Sequence, residues 1–238
     1  MERTIKLSKR LSAISSYIEN NSSVIDVGTD HGYIPVWLAQ TGRAEKIYAS
    51  DLRKGPLDSA RRTAAEYGVT DKIEFILTDG LVDTDLCSYD TVVIAGMGGE
   101  TIISILENSK WVIREGMKLI LQPQSKVPEL LKWLNTNKIC VDNAQLVEDE
   151  HRIYVVLSTK VGRKSLENDF VEYFPSKLID NKDPLLYSYL SELEMKIKKT
   201  VLGLQKSERA DNYLHSKILE FELERINSIK KEAFKWQR

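Results

Sequence analysis

Cysteine is scarce in this chain of 238 residues: only Cys87 and Cys140 are present, and they lack C-x-x-C spacing and nearby histidine pairs. Neither a disulfide framework nor a zinc site is therefore expected. Long hydrophobic runs are also missing, because no apolar stretch approaches the roughly 20 residues that cross a bilayer. The first residues do not follow the pattern of a signal peptide. We expect a protein of the reducing cytoplasm that binds neither a metal nor a membrane.

The sequence has no excess of charge of either sign, since its formal net charge is -1 at pH 7. Residues 1–162 carry 19 basic and 22 acidic side chains, and residues 163–238 carry 15 and 13. Neither part has the basic surplus that is typical of a nucleic-acid binder, so charge alone does not identify a partner. The apolar fraction of 42% is enough for a core of conventional size.

Strand and helix patterns alternate over residues 1–162, which predicts an α/β domain with a doubly wound, mostly parallel sheet. The predicted parallel strands cover residues 24–27, 46–51, 73–77, 91–95 and 117–121. Two more strands, at 144–147 and 153–158, are joined by a short polar stretch and predict an antiparallel hairpin at the sheet edge. Near the start, helical spacing predicts an amphipathic helix with its basic side outward; its apolar side carries Leu7, Leu11, Ile14 and Ile18, and its basic side Lys6, Lys9 and Arg10.

After Gly162 no further strand pattern appears, and we expect a second, helical domain over residues 163–238. Apolar steps of three and four residues at 186–204 and 219–233 predict two long helices that fold back as an antiparallel coiled coil. Basic side chains gather near the predicted tip, but acidic side chains lie among them, so a solvated face and an RNA contact both stay open. These basic residues are Lys196, Lys198, Lys199, Lys206 and Arg209.

The loop after the first strand is the most informative segment, because it runs from Asp26 through Gly28 to Gly32 and leads into a helix. Strand-to-helix turns of this kind bind nucleotides in doubly wound sheets. The spacing is D-x-G-x-x-x-G and not the G-x-G-x-x-G of dinucleotide enzymes. A cofactor without a pyrophosphate suits it better, and S-adenosylmethionine is such a cofactor.

Acidic residues also end the second and third strands. Asp51 is placed to accept the hydroxyls of a ribose, and Asp79 with Gly80 is placed near an adenine amino group. Helix capping is the alternative for Asp51, and ordinary turn chemistry is the alternative for the Asp-Gly pair.

The fourth strand ends in a dense glycine segment, Gly96-Met97-Gly98-Gly99. We expect its backbone to face a flat ring across the crevice from the first loop, whereas relief of crowding between helix and strand is the alternative. His31 in the first loop could contact the cofactor or only cap the helix.

Four segments resemble the bacterial tRNA adenine-N1 methyltransferases that modify adenine 22 of the D-arm. They are Leu7–Leu11, Asp26–Gly32, Ala95–Glu100 and Leu119–Pro123. The resemblance implies a Rossmann-like class I methyltransferase domain with strand order 3-2-1-4-5-7-6, a C-terminal coiled coil and S-adenosylmethionine as cofactor. The family pattern has asparagine after Gln-Pro, where this sequence has Gln124.

Site roles follow from the resemblance. It implies that Asp26, Gly28, His31 and Gly32 surround the methionine part of the cofactor, Asp51 the ribose, Asp79 and Gly80 the adenine, and Gly96 and Met97 the sulfonium side.

For the substrate, we expect Asp30 to be the acid-base group and Arg10 and Tyr33 to be its neighbours, with Gly98 and Gly99 facing the base. Phosphate contacts are expected from Lys6, Lys9, Arg10, Arg53 and Lys54. N1 lies on the Watson-Crick edge, so the target base must be extruded from folded tRNA. We expect a monomer, although a coiled coil can also join two chains.

Three other functions remain open at this point. A small-molecule methyltransferase would share every cofactor feature, and only the helical tail argues against it. An NAD-dependent oxidoreductase is disfavoured because the first loop lacks the third glycine. An adaptor on a non-catalytic methyltransferase fold would use the coiled coil for docking, and the three acidic strand ends argue against that role.

Overall fold

The computed structural model describes residues 4–81, 89–162, 170–171, 173–205 and 210–236. The chain divides into two compact units, Met1–Lys177 and Leu178–Arg238. This division lies later in the chain than the domain boundary expected after Gly162, which stays a prediction. Cys87, Lys206 and Arg209, which the sequence singled out, lie outside the described residues.

The first unit is built on a sheet whose described strands follow the order β3-β2-β1-β4-β5-β7-β6. Strands β1 to β5 run parallel, whereas β7 is antiparallel to both β5 and β6. The strand order implied by the resemblance and the antiparallel edge hairpin are therefore confirmed. The strands are β1 (Ser22–Val27), β2 (Ala44–Asp51), β3 (Glu74–Leu77), β4 (Thr91–Gly98), β5 (Lys118–Ser125), β6 (Ile139–Asp149) and β7 (Arg152–Val161).

Helices connect the parallel strands, and local sequence signals account for their ends. The second helix ends at Gly42, which takes the left-handed conformation with φ 64° that glycine tolerates. Proline stands in the first turn of the third and fifth helices, where its missing N–H leaves no bond unmade. The helices are α1 (Lys9–Ser16), α2 (Tyr33–Thr41), α3 (Lys54–Glu66), α4 (Gly99–Asn108) and α5 (Val127–Thr136), with 3-10 turns at Thr70–Lys72 and Lys110–Val112.

Helix α1 packs on the sheet through its apolar side, as the spacing predicts: Ile14 and Ile18 are fully buried. The carboxylate of Asp149, at the end of β6, accepts a hydrogen bond from the backbone N of Arg10 at 3.1 Å. The expectation that the whole basic side faces outward is wrong for Arg10, whose guanidinium turns inward to the side chain of Gln122. A pattern on one helix cannot reveal a polar partner on a distant strand.

The expectation that no strand follows residue 162 is also wrong. Strand β8 (Phe170–Val171) pairs antiparallel with β9 (Phe174–Pro175). Strands of two residues are too short to show an alternation of apolar and polar positions, so periodicity does not reveal them.

The second unit contains two long helices, α7 (Leu186–Leu204) and α8 (Ala210–Trp236), after the short α6 (Lys177–Asp180). Cross-helix bonds join Lys230 to Glu194 and Gln205 to Glu220, so the two helices run antiparallel, as expected. Coiled-coil packing between them stays a prediction. Among the described residues, no helix is both long enough and apolar enough to span a membrane.

Candidate functional site

The carboxyl ends of β1 to β4 open into one cleft of about 1210 Å³, with a further wall formed by residues of α1 and the β6–β7 turn. Sites at this edge are the rule in open α/β sheets. Most of the residues that the sequence singled out line it: Lys6, Arg10, Asp26, Gly28, Asp30, His31, Tyr33, Asp51, Arg53, Asp79, Gly80, Gly96 and Met97. Lys9, Gly32, Lys54, Gly98 and Gly99 are not among the residues that line it.

The loop after β1 is held tightly to the neighbouring strand. Backbone N–H groups of Gly28 and Thr29 both donate to the carbonyl oxygen of Ser50, at 2.8 and 2.9 Å. Gly28 has φ +71°, and a Cβ at this position would overlap the Cε methyl of Met97, one of the last residues of β4. Glycine is therefore required both by the backbone conformation and by the close approach of Met97.

Asp26 lies at the base of this loop and is buried. One of its carboxylate oxygens accepts a hydrogen bond from the hydroxyl of Thr29 at 2.7 Å. Burial, with a smaller contribution from the charge of Asp51, raises the pKa of Asp26 to about 6, although the Thr29 bond acts in the opposite direction. The group therefore titrates close to neutral pH.

Asp51 and Asp79 line the cleft at the ends of their strands, as the sequence predicted. Oδ1 of Asp51 accepts a hydrogen bond from the backbone N of Arg53 at 2.9 Å, so this side chain also orders the turn that begins α3. The capping alternative and a ligand role are compatible, because a carboxylate has a second oxygen. The cofactor roles of Asp51, Asp79 and Gly80 stay predictions.

His31 is held by protein groups. Its Nδ1 lies 3.0 Å from the hydroxyl of Ser59, and its ring stacks on Tyr33 with centroids 5.6 Å apart. The neighbouring Asp30 has a left-handed backbone with φ 51° and a side chain that is 66% exposed. Asp30 is thus exposed and lines the cleft, and its role as the acid-base group stays a prediction. The alternative of a purely structural role remains open for His31.

Sequence reasoning gave no role to Gln122, whose side chain is fully buried at the end of β5. Its Oε1 accepts hydrogen bonds from Nη1 of Arg10 at 2.8 Å and from the backbone N of Gly96 at 3.1 Å. The guanidinium of Arg10 also lies over the ring of Tyr154, 5.5 Å from its centroid. A glutamine that ends an otherwise apolar strand was the available signal, but its partners are distant in sequence.

Asp149 was also missed. It lines the cleft, and hydrogen bonds from Ser8 first and from the backbone N of Arg10 second hold the pKa of its carboxyl below the usual range. This carboxylate therefore secures the first turn of α1 to the turn between β6 and β7.

Packing accounts for part of the glycine density after β4. A Cβ on Gly99 would overlap the carbonyl oxygen of Lys126, and one on Gly98 would lie 3.2 Å from the hydroxyl of Ser125. The alternative of relieved crowding therefore explains Gly99 without a ligand, and the substrate roles of Gly98 and Gly99 stay predictions. Within the described ranges, no cluster of three or more His, Cys, Asp or Glu side chains is arranged to hold a metal ion.

Comparison with known proteins agrees with this geometry. A family described as a methyltransferase domain matches residues 7–157. The tRNA (adenine(22)-N(1))-methyltransferase of Bacillus subtilis (strain 168) is 30% identical over 175 residues, which are 74% of each chain. The crystal structure of the B. subtilis m1A22 tRNA methyltransferase TrmK superposes with a TM-score of 0.83 at 25% identity, over 94% of this chain and 99% of that one. The TrmK of M. capricolum, solved with its natural cofactor product S-adenosyl-homocysteine, has a TM-score of 0.77 at 27% identity, over 98% and 99% of the two chains.

Proposed function

This chain belongs to the family of tRNA (adenine(22)-N1)-methyltransferases, and we propose that it transfers a methyl group from S-adenosylmethionine to N1 of adenine 22 in tRNA. One observation carries the proposal: a single cleft collects the glycine loop after β1 and the acidic ends of three parallel strands, Asp26, Asp51 and Asp79. Lys6, before α1, and Arg10, within it, add cationic side chains to the same cleft, which suits a substrate with phosphate groups.

The residues of the cleft fit this cofactor. At Gly28 the missing Cβ lets the Cε methyl of Met97 approach the loop, which brings two parts of the cleft wall together. Asp51 presents a buried carboxylate at the position suited to a ribose. The cleft of about 1210 Å³ exceeds the roughly 300–1,000 Å³ of ordinary small-molecule pockets. It therefore has room for a cofactor and a nucleotide side by side.

When bound, S-adenosylmethionine supplies a methyl group on a cationic sulfur. N1 of adenine has an in-plane lone pair, so the protein has mainly to align that lone pair with the methyl-sulfur bond and exclude water. The positive charge moves from sulfur to the base, and a carboxylate close to the base favours this movement. Asp30 takes this role in our proposal and can accept the proton lost from N6.

The target adenine must leave its stacked and paired position to reach the cleft. Lys6 and Arg53 line the cleft. Lys9 follows Lys6 after two residues and Lys54 is next to Arg53, so these four can contact the phosphates that flank the extruded base. In the second unit, Lys196 and Lys199 on α7 are exposed and offer a further phosphate contact. A tRNA substrate is consistent with a cytoplasmic protein, and we propose that the chain acts as a monomer.

The decisive experiment is nucleoside mass spectrometry after reaction of the purified protein with methyl-labelled S-adenosylmethionine and a tRNA transcript. We expect 1-methyladenosine at position 22 and none in a matched transcript that carries guanosine there. A parallel reaction with a small-metabolite extract tests the main alternative. Label that enters only the metabolite fraction, or another position of the tRNA, would contradict the proposed substrate.

A further inference from the structure

Gln122 joins two parts of the cleft that are far apart in sequence. Arg10 belongs to α1 and Gly96 to the last residues of β4, and both line the cleft. Both donate to the same Oε1 atom of Gln122, at 2.8 and 3.1 Å, whereas Nε2 of Gln122 donates to the carbonyl oxygen of Pro123 at 3.1 Å. No step of the proposed chemistry uses this amide.

The hydrogen-bond partners fix the orientation of the amide. If oxygen and nitrogen were exchanged, the amide NH₂ would face two donors, and a carbonyl oxygen would face the acceptor Pro123. Since the side chain is fully buried, each unmade bond would carry a desolvation cost that water cannot offset. The Oε1 atom of Gln122 is therefore held in one position between α1 and the last residues of β4.

Both donors are themselves constrained. Gly96 has φ +76°, a left-handed conformation that its N–H bond to Gln122 helps to select. The backbone N of Arg10 donates to Asp149, and the guanidinium lies over the ring of Tyr154. The hydrogen bond from Nη1 to Gln122 then fixes the end of the Arg10 side chain.

We propose that Gln122 is a positioning residue for methyl transfer, acting on the substrate side through Arg10 and on the cofactor side through Gly96. This inference rests on the proposed function: Gln122 sets the distance between the substrate side and the cofactor side of the cleft. Transfer in a line tolerates little displacement, and a misplacement of about 1 Å can lower a rate by about a hundredfold. A buried amide that binds both Arg10 and Gly96 keeps the two sides of the cleft at a fixed distance.

The test is a double-mutant cycle on tRNA methylation with the full chain, using Q122M, R10M and the double variant. Each single substitution is expected to lower kcat/KM by about tenfold to a hundredfold. The double variant is expected to lose less than the product of the two single effects, because the part of the Gln122 effect that passes through Arg10 is already lost in R10M, whereas the part that passes through Gly96 is not. A double variant that loses the product of the two single effects would overturn the coupling.

Q145M is the matched control. Gln145 also ties α1 to the sheet, since its Nε2 donates to the carbonyl oxygen of Ala13 at 3.0 Å, but it does not line the cleft. We expect Q145M to keep kcat/KM within about threefold of wild type and to lower the melting temperature less than Q122M, because Gln145 is only partly buried and water can replace its hydrogen bonds. A loss of activity in Q145M equal to that in Q122M would mean that loosening of α1 alone explains the effect and would overturn the inference.

A second variant covers the case in which Q122M does not fold. In Q122E one carboxylate oxygen accepts the same two hydrogen bonds, whereas the other replaces Nε2 and faces the carbonyl oxygen of Pro123 without a donor. Its kcat is expected to exceed that of Q122M or, if Q122M is unfolded, to remain within about a hundredfold of wild type. A folded Q122E below these limits contradicts positioning through these bonds. A wild-type protein that does not methylate tRNA overturns the proposed function and this inference with it, whereas active wild type with equally active Q122M overturns the inference alone.

Discussion

The Cε methyl group of Met97 lies against Gly28, so that a Cβ on Gly28 would overlap it. This contact brings the loop after β1 and the last residues of β4 together at the edge of the sheet. Gly28→Ala is therefore expected to push Met97 into the cleft and to strain a backbone with φ +71°. We predict that G28A weakens the binding of S-adenosyl-homocysteine by about tenfold or more, measured by calorimetry.

Removal of the obstructing methyl group provides the control. The double variant G28A/M97A should bind S-adenosyl-homocysteine more tightly than G28A, because only the backbone strain remains. Equal affinities of G28A and wild type would show that the approach of Met97 to Gly28 does not shape the cofactor pocket.

Gly99, the first residue of α4, offers a test of packing without a ligand. Its added Cβ would overlap the carbonyl oxygen of Lys126 and lie 2.9 Å from that of Ser125, and neither backbone atom can easily move. We predict that Gly99→Ala lowers the free energy of unfolding by about 1–3 kcal/mol, measured by urea unfolding.

Gly55→Ala in α3 is the matched control, since no atom lies within 4 Å of its added Cβ. It should leave the free energy of unfolding unchanged or raise it by up to about 1 kcal/mol. If G99A unfolds at the same urea concentration as G55A, the crowding explanation of Gly99 is wrong.

The difference between these two glycines shows where sequence reasoning reaches its limit. The main strands and helices, and their succession along the chain, could be predicted because periodicity, proline and glycine act locally. The order of the strands within the sheet was implied by the family resemblance. The reason for Gly99 could not, because the atoms that exclude a side chain there belong to residues 125 and 126. Glycine density was visible, but its cause is a contact between elements.

The same limit applies to the cleft. Its acidic strand ends were predictable, since parallel strands in a doubly wound sheet end at one edge. The inward turn of Arg10 was not, because it depends on Gln122, 112 positions away in the chain. Asp149 was missed for a similar reason, since it becomes part of the site only when the β6–β7 hairpin meets α1.

Asp26 predicts a dependence of stability on pH. Its pKa rises from 3.8 to about 6 on folding, so the folded state binds the proton more tightly than the unfolded state. Between these values stability must fall as the pH increases, and the full cost of the buried charge, about 3 kcal/mol, is present above pH 6. Asp26→Asn should remove this cost, so D26N is expected to be more stable than wild type at pH 8 but not at pH 4.

Urea unfolding without cofactor at both pH values measures the difference between D26N and wild type. The advantage of D26N should grow from pH 4 to pH 7 and then level off. An advantage that is constant across this range, or that shrinks as the pH rises, would contradict a raised pKa for Asp26.

In the second unit, Glu194 on α7 accepts hydrogen bonds from Lys198 on the same helix and from Lys230 on α8, at 2.6 Å for Lys230. Both partners of the cross-helix pair are about seven-eighths buried, with 13% and 15% of their side chains exposed. Glu194→Gln should leave the charge of Lys230 without its counter-charge and lower the free energy of unfolding by about 1–3 kcal/mol. Helical circular dichroism during urea unfolding is the measurement.

Lys217→Gln is the control for this pair, because Lys217 and Glu220 form a more exposed ion pair on one helix and the substitution keeps the acceptor of the cross-helix bond from Gln205 to Glu220. Exposed pairs contribute about 0–1 kcal/mol, so K217Q should unfold close to wild type. Equal effects of E194Q and K217Q would mean that the pair of Glu194 and Lys230 does not fix how α7 and α8 pack.

Asp30→Asn tests the proposed acid-base group. Asparagine keeps the shape of the side chain and tolerates the left-handed backbone at this position, so the fold and the loop should persist. It cannot accept a proton or stabilise the positive charge that reaches the base. Single-turnover methylation of tRNA should therefore slow by about a hundredfold, with S-adenosyl-homocysteine affinity within about threefold of wild type. A D30N protein with normal turnover would exclude Asp30 from the chemistry, and a parallel loss of cofactor affinity would reassign it to the binding of the cofactor.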